Sequence, residues 1–250
     1  ALAIGLAQSG LVEPADICIS NPSTAKLEAL REKQPALVTT TDNSACVADA
    51  GIVVLAVKPW KVKEVTNELL PSLDVKKQAV VSLAAGISLD LLELWLQKGN
   101  AVPPLYTIIP NTAIANAQSM TFIAGRHSTA ALDASILQLF LALGDAMIVE
   151  ERLMEAGMAL ASCGIAYALR YVRAATEGGV QMGFRASEAQ RIVAQTLRGA
   201  ASLLENGAHA EAEIDRVCTP GGRTIRGLNA MEEAGFTGAV IQGFLASLAK

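Results

Sequence analysis

Residues 51–59 read GIVVLAVKP. The unbroken apolar run, β-branched at Ile52, Val53, Val54 and Val57, fits a strand buried on both faces of a parallel sheet, and Lys58-Pro59 ends it. The same pattern recurs on either side. Residues 79–83 (AVVSL) predict a second buried strand running into Ala84-Ala85-Gly86, and Ser88 then caps a helix over 89–98. Residues 105–109 predict a strand ended by Pro110-Asn111-Thr112. Further strands over 120–124 and 146–149 flank a helix over 130–143. A helix over 61–70 lies between the first two strands, and toward the N-terminus lie a helix over 44–50, a weak strand over 36–40, a helix over 24–33 capped by Ser23, and a short strand over 16–20. Strands alternating with helices of about ten residues indicate an α/β fold with a mostly parallel sheet.

Residues 1–10 (ALAIGLAQSG) are apolar with no basic leader and no cleavage signal, so they are not expected to be a signal peptide. They read as a helix over 1–9, entered part-way through a motif. The first strand and its glycine-rich loop are expected just upstream of Ala1. After Val149 the strand pattern stops. Helices are expected over 152–177, 186–206, 211–217, 224–234 and 237–248, with a break at Pro220-Gly221-Gly222. The basic residues change as well: every lysine except Lys250 lies at or before Lys98, and the rest of the chain uses arginine. The boundary is therefore placed near Glu150, with a dinucleotide-binding domain over 1–149 and an all-helical domain over 150–250.

With 20 basic and 24 acidic residues the net charge is −4, which argues against a nucleic-acid binder. At 52% apolar and 18% charged the chain is not disordered, and no run approaches the ~20 apolar residues of a membrane span. Cys18, Cys46, Cys163 and Cys218 form no close pair and lie near neither His127 nor His209, so no metal site and no disulfide framework are expected. They read as reduced, mostly buried thiols of a cytoplasmic protein. The two histidines read as plain surface residues.

Ligands of open parallel sheets bind at the carboxyl ends of the strands. That selects Asn21-Pro22-Ser23, Lys58-Pro59, Ala85-Gly86 and Pro110-Asn111-Thr112. An acidic residue ending the second strand of a dinucleotide fold binds the ribose 2′-hydroxyl and favours NAD. Here Asn21, Pro22, Ser23 and Thr24 stand with Lys26 nearby, so the reading is NADP (as NADPH), with NAD as second choice. The G-x-G-x-x-G pattern does not occur in residues 1–250. A second candidate site is residues 219–228 (TPGGRTIRGL), where two glycines open backbone N–H groups at a helix start, suited to a carboxylate or phosphate, with the Thr224 hydroxyl beside them.

Leu55-Ala56-Val57-Lys58-Pro59, Ala84-Ala85-Gly86, Pro110-Asn111-Thr112 and Thr219-Pro220-Gly221-Gly222-Arg223-Thr224 resemble, in order, the motifs of the pyrroline-5-carboxylate reductases. Residues 160–167 (LASCGIAY) with Glu177-Gly178-Gly179-Val180 resemble that family's small-residue helix and its partner. The resemblance implies a Rossmann-like NADP-binding domain, its first strand and loop outside the sequence, followed by an all-α dimerisation domain. It implies NADPH-dependent reduction of 1-pyrroline-5-carboxylate to L-proline, the last step of proline biosynthesis, by a homodimer or higher oligomer with no nucleic-acid or membrane partner. By position it makes Thr224 the catalytic residue, hydrogen-bonded to the ring nitrogen. Thr219, Gly221, Gly222 and Arg223 hold the substrate carboxylate. Asn21, Ser23, Asn43, Ala56, Val57, Lys58, Pro59, Ala85 and Asn111 line the cofactor. Cys163, Ile165 and Ala113 depart from the family pattern of Ser, Pro and Pro.

Two other readings compete. A 3-hydroxyacid-dehydrogenase-type enzyme would need a lysine acid/base from its helical domain, and no lysine occurs between Gly99 and Ala249. A non-catalytic nucleotide-binding dimer on the same fold is the other, since fold alone does not give function.

Overall fold

The computed structural model describes residues 1–205 and 207–248, so Asn206, the last residue of one expected helix, and Lys250 lie outside the described residues. The chain divides into two compact units, one ending at Ser162 and one beginning at Cys163.

In the first unit, helix α1 (Leu2–Ser9) ends at Gly10, whose left-handed backbone closes it. Strands β1 (Cys18–Ser20) and β2 (Val38–Thr40) form a two-stranded parallel sheet, crossing over through helix α2 (Thr24–Lys33). Helix α3 (Asn43–Val47) leads to a five-stranded sheet in the order β3 (Ile52–Leu55), β4 (Ala79–Ser82), β5 (Leu105–Ile109), β6 (Ser119–Arg126) and β7 (Gly144–Ile148). Helices α4 (Pro59–Leu69) and α5 (Leu89–Leu96) join β3 to β4 and β4 to β5, which run parallel, with Val53 beside Val80 and Val81 beside Tyr106. The sheet is mostly parallel as expected, and its one antiparallel pair is β5 and β6. Their connection holds only a 3-10 turn (Thr112–Asn116), too short for the crossover that a parallel pair needs. Helix α6 (Ala130–Leu141) supplies such a crossover, so β6 and β7 are parallel.

Strand β4 is buried at all four positions, as its apolar run predicts. The deciding run 51–57 also forms a strand. This is β3, in which Val53 and Leu55 are buried and Val54 is exposed. Val62 and Leu69 of α4 and Leu89, Leu92 and Leu96 of α5 pack with Val53, Leu55 and Leu105. Ile136 and Phe140 of α6 pack with Val81, Tyr106 and Ile108. Each such side chain contributes roughly 1.5–3 kcal/mol by leaving water. A Cβ on Gly144 would run into the Ser119 backbone, so only glycine lets β7 start this close to β6.

Packing carries the first unit past residue 149. The Glu151 carboxylate accepts the Leu89 N–H at 2.6 Å, Met154 is buried in the α4–α5 core, and Gly157 lies against the Phe122 ring. The single helix expected over 152–177 is instead a 3-10 turn (Glu151–Leu153), helix α7 (Met154–Gly157), a π segment (Met158–Cys163) and helix α8 (Gly164–Gln181).

The second unit continues with α9 (Ala186–Leu204), α10 (Ala210–Val217), α11 (Arg223–Glu233) and α12 (Phe236–Ala246). Gly179 of α8 lets the Ala189 methyl of α9 approach closely. The Tyr167 hydroxyl meets Ser247 Oγ at 2.5 Å, and its ring stands edge-on to Phe244. Among the described residues of this unit only Gly179 and Ala189 are buried. No helix among the described residues is long and apolar enough to cross a membrane.

Candidate functional site

At the end of β1, Asn21 Oδ1 accepts the Ser23 N–H at 2.9 Å, a turn that starts α2. Ser23 stands at the N-cap position, but its hydroxyl makes no cap bond, contrary to the capping role expected for it. The first turn of α2 carries no acidic residue. Open N–H groups, a spare hydroxyl and no carboxylate make a place for an anionic oxygen group, and the donor set fits the 2′-phosphate of NADP. At the head of α3, Asp42 caps the helix through Ser44 N and Ala45 N, while Asn43 Nδ2 donates to Glu68 of α4 at 3.1 Å.

Because β3 and β4 are parallel neighbours, their end loops lie side by side. Ala56, Val57 and Lys58 are exposed after β3, and Pro59 opens α4. Ala85 and Gly86 are exposed after β4, Gly86 with φ +77°. Trp60, the second residue of α4, is 75% exposed, and no sequence motif marks it. Asn111, after β5, is buried. Its Oδ1 accepts from Ala113 N and its Nδ2 donates to the Ala161 carbonyl, so its side chain is already engaged.

The thiols are not buried as expected: Cys18 is exposed and Cys46, Cys163 and Cys218 are intermediate. The Cys46 thiol is pushed up to about 12, first by burial and then by the neighbouring Cys18 thiol. The histidines also have structural tasks that sequence patterns do not show. His127, at φ +57°, places Nε2 3.1 Å from Glu93, and His209 Nδ1 accepts the Glu211 N–H at the start of α10. Arg126 pairs with Asp90, Glu93 and Glu151. Arg126 foremost, then His127, holds the Glu93 carboxyl below the usual range.

In the second unit, Gly221 turns with φ +69° and Gly222 is the N-cap of α11. The Gly222 N–H donates to the Thr219 carbonyl at 2.8 Å, so this amide is spent inside the turn. A Cβ on Gly222 would overlap both Thr219 Oγ1 and that carbonyl. Arg223 and Thr224 are the first two residues of the helix, so their N–H groups belong to its open end. Gly222, not Thr224, therefore holds the cap position of α11. Thr219, Arg223 and Thr224 are all exposed. The arrangement offers amides and hydroxyls with no carboxylate in the first turn of α11, a setting for an anionic ligand.

Residues 1–86 match the family described as "NADP oxidoreductase coenzyme F420-dependent", and residues 151–250 match "Pyrroline-5-carboxylate reductase dimerisation". Pyrroline-5-carboxylate reductase 1 of Dictyostelium discoideum is 36% identical over 99% of this chain, which spans 46% of that protein's length. Pyrroline-5-carboxylate reductase 2 of the same organism is 34% identical over 100% of this chain and 87% of its own length. The chain belongs to the pyrroline-5-carboxylate reductase family. A solved pyrroline-5-carboxylate reductase from Coxiella burnetii has the same fold, with a TM-score of 0.91 at 30% identity over 99% of this chain and 91% of that one. Membership of the pyrroline-5-carboxylate reductase family sets aside the 3-hydroxyacid-dehydrogenase reading.

Proposed function

We propose that this protein reduces 1-pyrroline-5-carboxylate to L-proline with NADPH. The observation that carries this reading is the turn at 219–224, where spare amides and the Thr224 hydroxyl stand at an acid-free helix start. The N–H groups of Arg223 and Thr224, with Gly221 and the Thr219 hydroxyl, hold the substrate carboxylate. Gly222 contributes by bringing Thr219 close. The Thr224 hydroxyl hydrogen-bonds the ring nitrogen and orients the C=N bond. Asn21, Ser23 and the start of α2 hold the adenosine phosphate, Asn43 the dinucleotide. The loops at Ala56, Val57, Lys58, Pro59, Ala85 and Asn111 line its path. When bound, NADPH supplies the hydride taken up by the C=N carbon. A protonated cyclic imine is already electrophilic, so positioning serves in place of a strong acid.

The reading includes a homodimer formed by domain 150–250. The second unit buries almost nothing of its own while exposing Leu169, Met182, Val217, Ile241 and Leu245, and such apolar faces belong in an interface. Four free cysteines fit the reducing cytoplasm. The test is loss of NADPH absorbance on addition of 1-pyrroline-5-carboxylate, with L-proline identified as product. Turnover supports the reading, and NADPH binding without turnover would favour the non-catalytic dimer. A monodisperse monomer at micromolar concentration by light scattering would remove the dimer.

A further inference from the structure

The first amides of a helix have no partner within it. In α5, Ser88 Oγ accepts the Leu91 N–H, while the Leu89 N–H goes to a carboxylate 62 residues further along the chain, Glu151 Oε1, at 2.6 Å. The other Glu151 oxygen accepts from Arg126 at 3.1 Å, and Arg126 is itself held by Asp90 and Glu93. The loop that carries Ala85 and Gly86 runs between Ala84, whose N–H donates to Ser82 Oγ, and Leu89. Among the described residues, none of the N–H groups of Ala85, Gly86, Ile87 and Ser88 has a protein partner. The Glu151 bond is thus the polar fastening at the far end of this loop.

Glu151 also stands at the root of a second fastening. It opens the run of 3-10, α and π turns that ends at Cys163, and the Ala161 carbonyl on that run accepts from Asn111 Nδ2. Along the way Met154 and Ala159 are buried and Gly157 lies against the Phe122 ring. Such apolar contacts press the run inward but carry no direction. The hydrogen bonds at its two ends are directional and fix its rotation and its position along its own axis. We propose that Glu151 is a positioning residue for the cofactor: it pins the Ala85-Gly86 loop to the root of the segment that carries Ala161, and so sets the spacing of Gly86 and Asn111.

The effect on NADPH rests on the cofactor reading above, whereas the clamp itself rests on the hydrogen bonds of Glu151 and Asn111. The role depends on reach more than on charge. Glu151→Asp keeps the charge but draws the carboxylate back from Leu89 by one methylene. Glu151→Gln keeps the length and a carbonyl acceptor for Leu89, and Arg126 still has Asp90 and Glu93. Glu151→Ala removes the clamp altogether.

The test compares the whole protein with these three variants by NADPH titration, by steady-state kinetics and by hydrogen exchange without ligand, read by mass spectrometry. Glu151→Ala and Glu151→Asp should each raise the NADPH Kd about tenfold, as small displacements of binding groups can produce. KM for 1-pyrroline-5-carboxylate should stay near the parent value, because its proposed holders lie at 219–224. Glu151→Gln should recover most of the NADPH affinity. Exchange should quicken in peptides over 84–91 and 110–118 and stay unchanged in α6. If Glu151→Ala does not fold, the Asp and Gln pair decides alone. The proposal is overturned by a Kd unchanged in Glu151→Asp, by affinity kept in Asp and lost in Gln, or by an equal loss for cofactor and substrate. If the parent does not bind NADPH, the cofactor reading fails instead. Exchange then decides the clamp: quickening confined to the two loops upholds it, and unchanged exchange there overturns it.

Discussion

Asn111 Nδ2 donates to the carbonyl oxygen of Ala161 at 3.3 Å, tying the loop after β5 to the π segment that precedes α8. The same side chain accepts from Ala113 N and so starts the 3-10 turn. One buried amide thus pairs with two backbone groups at once.

Asn111→Ala removes both bonds and should destabilise the first unit by about 1–3 kcal/mol, the cost of buried groups left unpaired. Asn111→Asp keeps the acceptor for Ala113 but sets a carboxylate against the Ala161 carbonyl, so it should not rescue the loss. Urea unfolding measures both. An alanine variant as stable as the parent would show that water replaces the amide at no cost.

Gly222→Ala places a methyl against Thr219 Oγ1 and its carbonyl. The φ of −68° is open to alanine, so the damage is steric and local to the turn. KM for 1-pyrroline-5-carboxylate should rise, with kcat/KM falling by roughly tenfold or more, while the Kd for NADPH stays put. An equal loss for both ligands would mean that the turn is not dedicated to the substrate.

The α/β alternation and the helical second half could be read from the sequence because period and punctuation are local. So could the candidate loops, which are strand ends marked by Asn21-Pro22, Lys58-Pro59 and Pro110-Asn111. The antiparallel β5–β6 pair escaped because direction depends on where the short 110–118 connection leads, not on the strand's own residues. The π segment escaped because Gly157 against the Phe122 ring and Ala161 against Asn111 are long-range contacts. The same holds for the Arg126 cluster, whose partners Asp90, Glu93 and Glu151 lie far apart in the chain.

The Arg126 cluster predicts an acid response. Hydrogen bonds from Arg126 and then His127 lower the Glu93 pKa below its ordinary value of 4.5. A depressed carboxylate contributes stability above its unfolded pKa and loses it as pH falls through the folded one. The melting temperature of the parent should therefore fall more steeply than that of Glu93→Gln as pH drops below about 4.5. A constant difference between the two proteins from neutral pH down to about pH 3 would show that the pairing adds nothing.

Ser23→Asp tests the cofactor choice. A carboxylate at the N-cap position would still suit the helix, and it would accept a ribose 2′-hydroxyl while repelling a 2′-phosphate. The variant should therefore fold normally, lose affinity for NADPH by about tenfold or more, and gain relative preference for NADH. Equal losses for the two cofactors would place the 2′ position away from Ser23.

Thr224 provides the sharpest test of the chemistry. It is the second residue of α11, exposed, and Gly222 rather than Thr224 stands at the cap position. Removing its hydroxyl should therefore cost little stability, within about 0.5 kcal/mol for an exposed site. If that hydroxyl hydrogen-bonds the substrate nitrogen more strongly in the transition state than in the ground state, its loss appears in kcat. A bond worth about 1.4–3 kcal/mol corresponds to a roughly ten- to hundredfold slower Thr224→Ala enzyme. Thr224→Ser keeps the oxygen and should recover most of the rate. A change in KM alone would give Thr224 a binding role without a catalytic one, since uniform binding leaves kcat untouched. A lowered melting temperature with unchanged kcat would make it a helix residue only. Because the structure separates Thr224 from the cap, a fall in kcat at constant melting temperature assigns the loss to the reacting nitrogen and not to the helix.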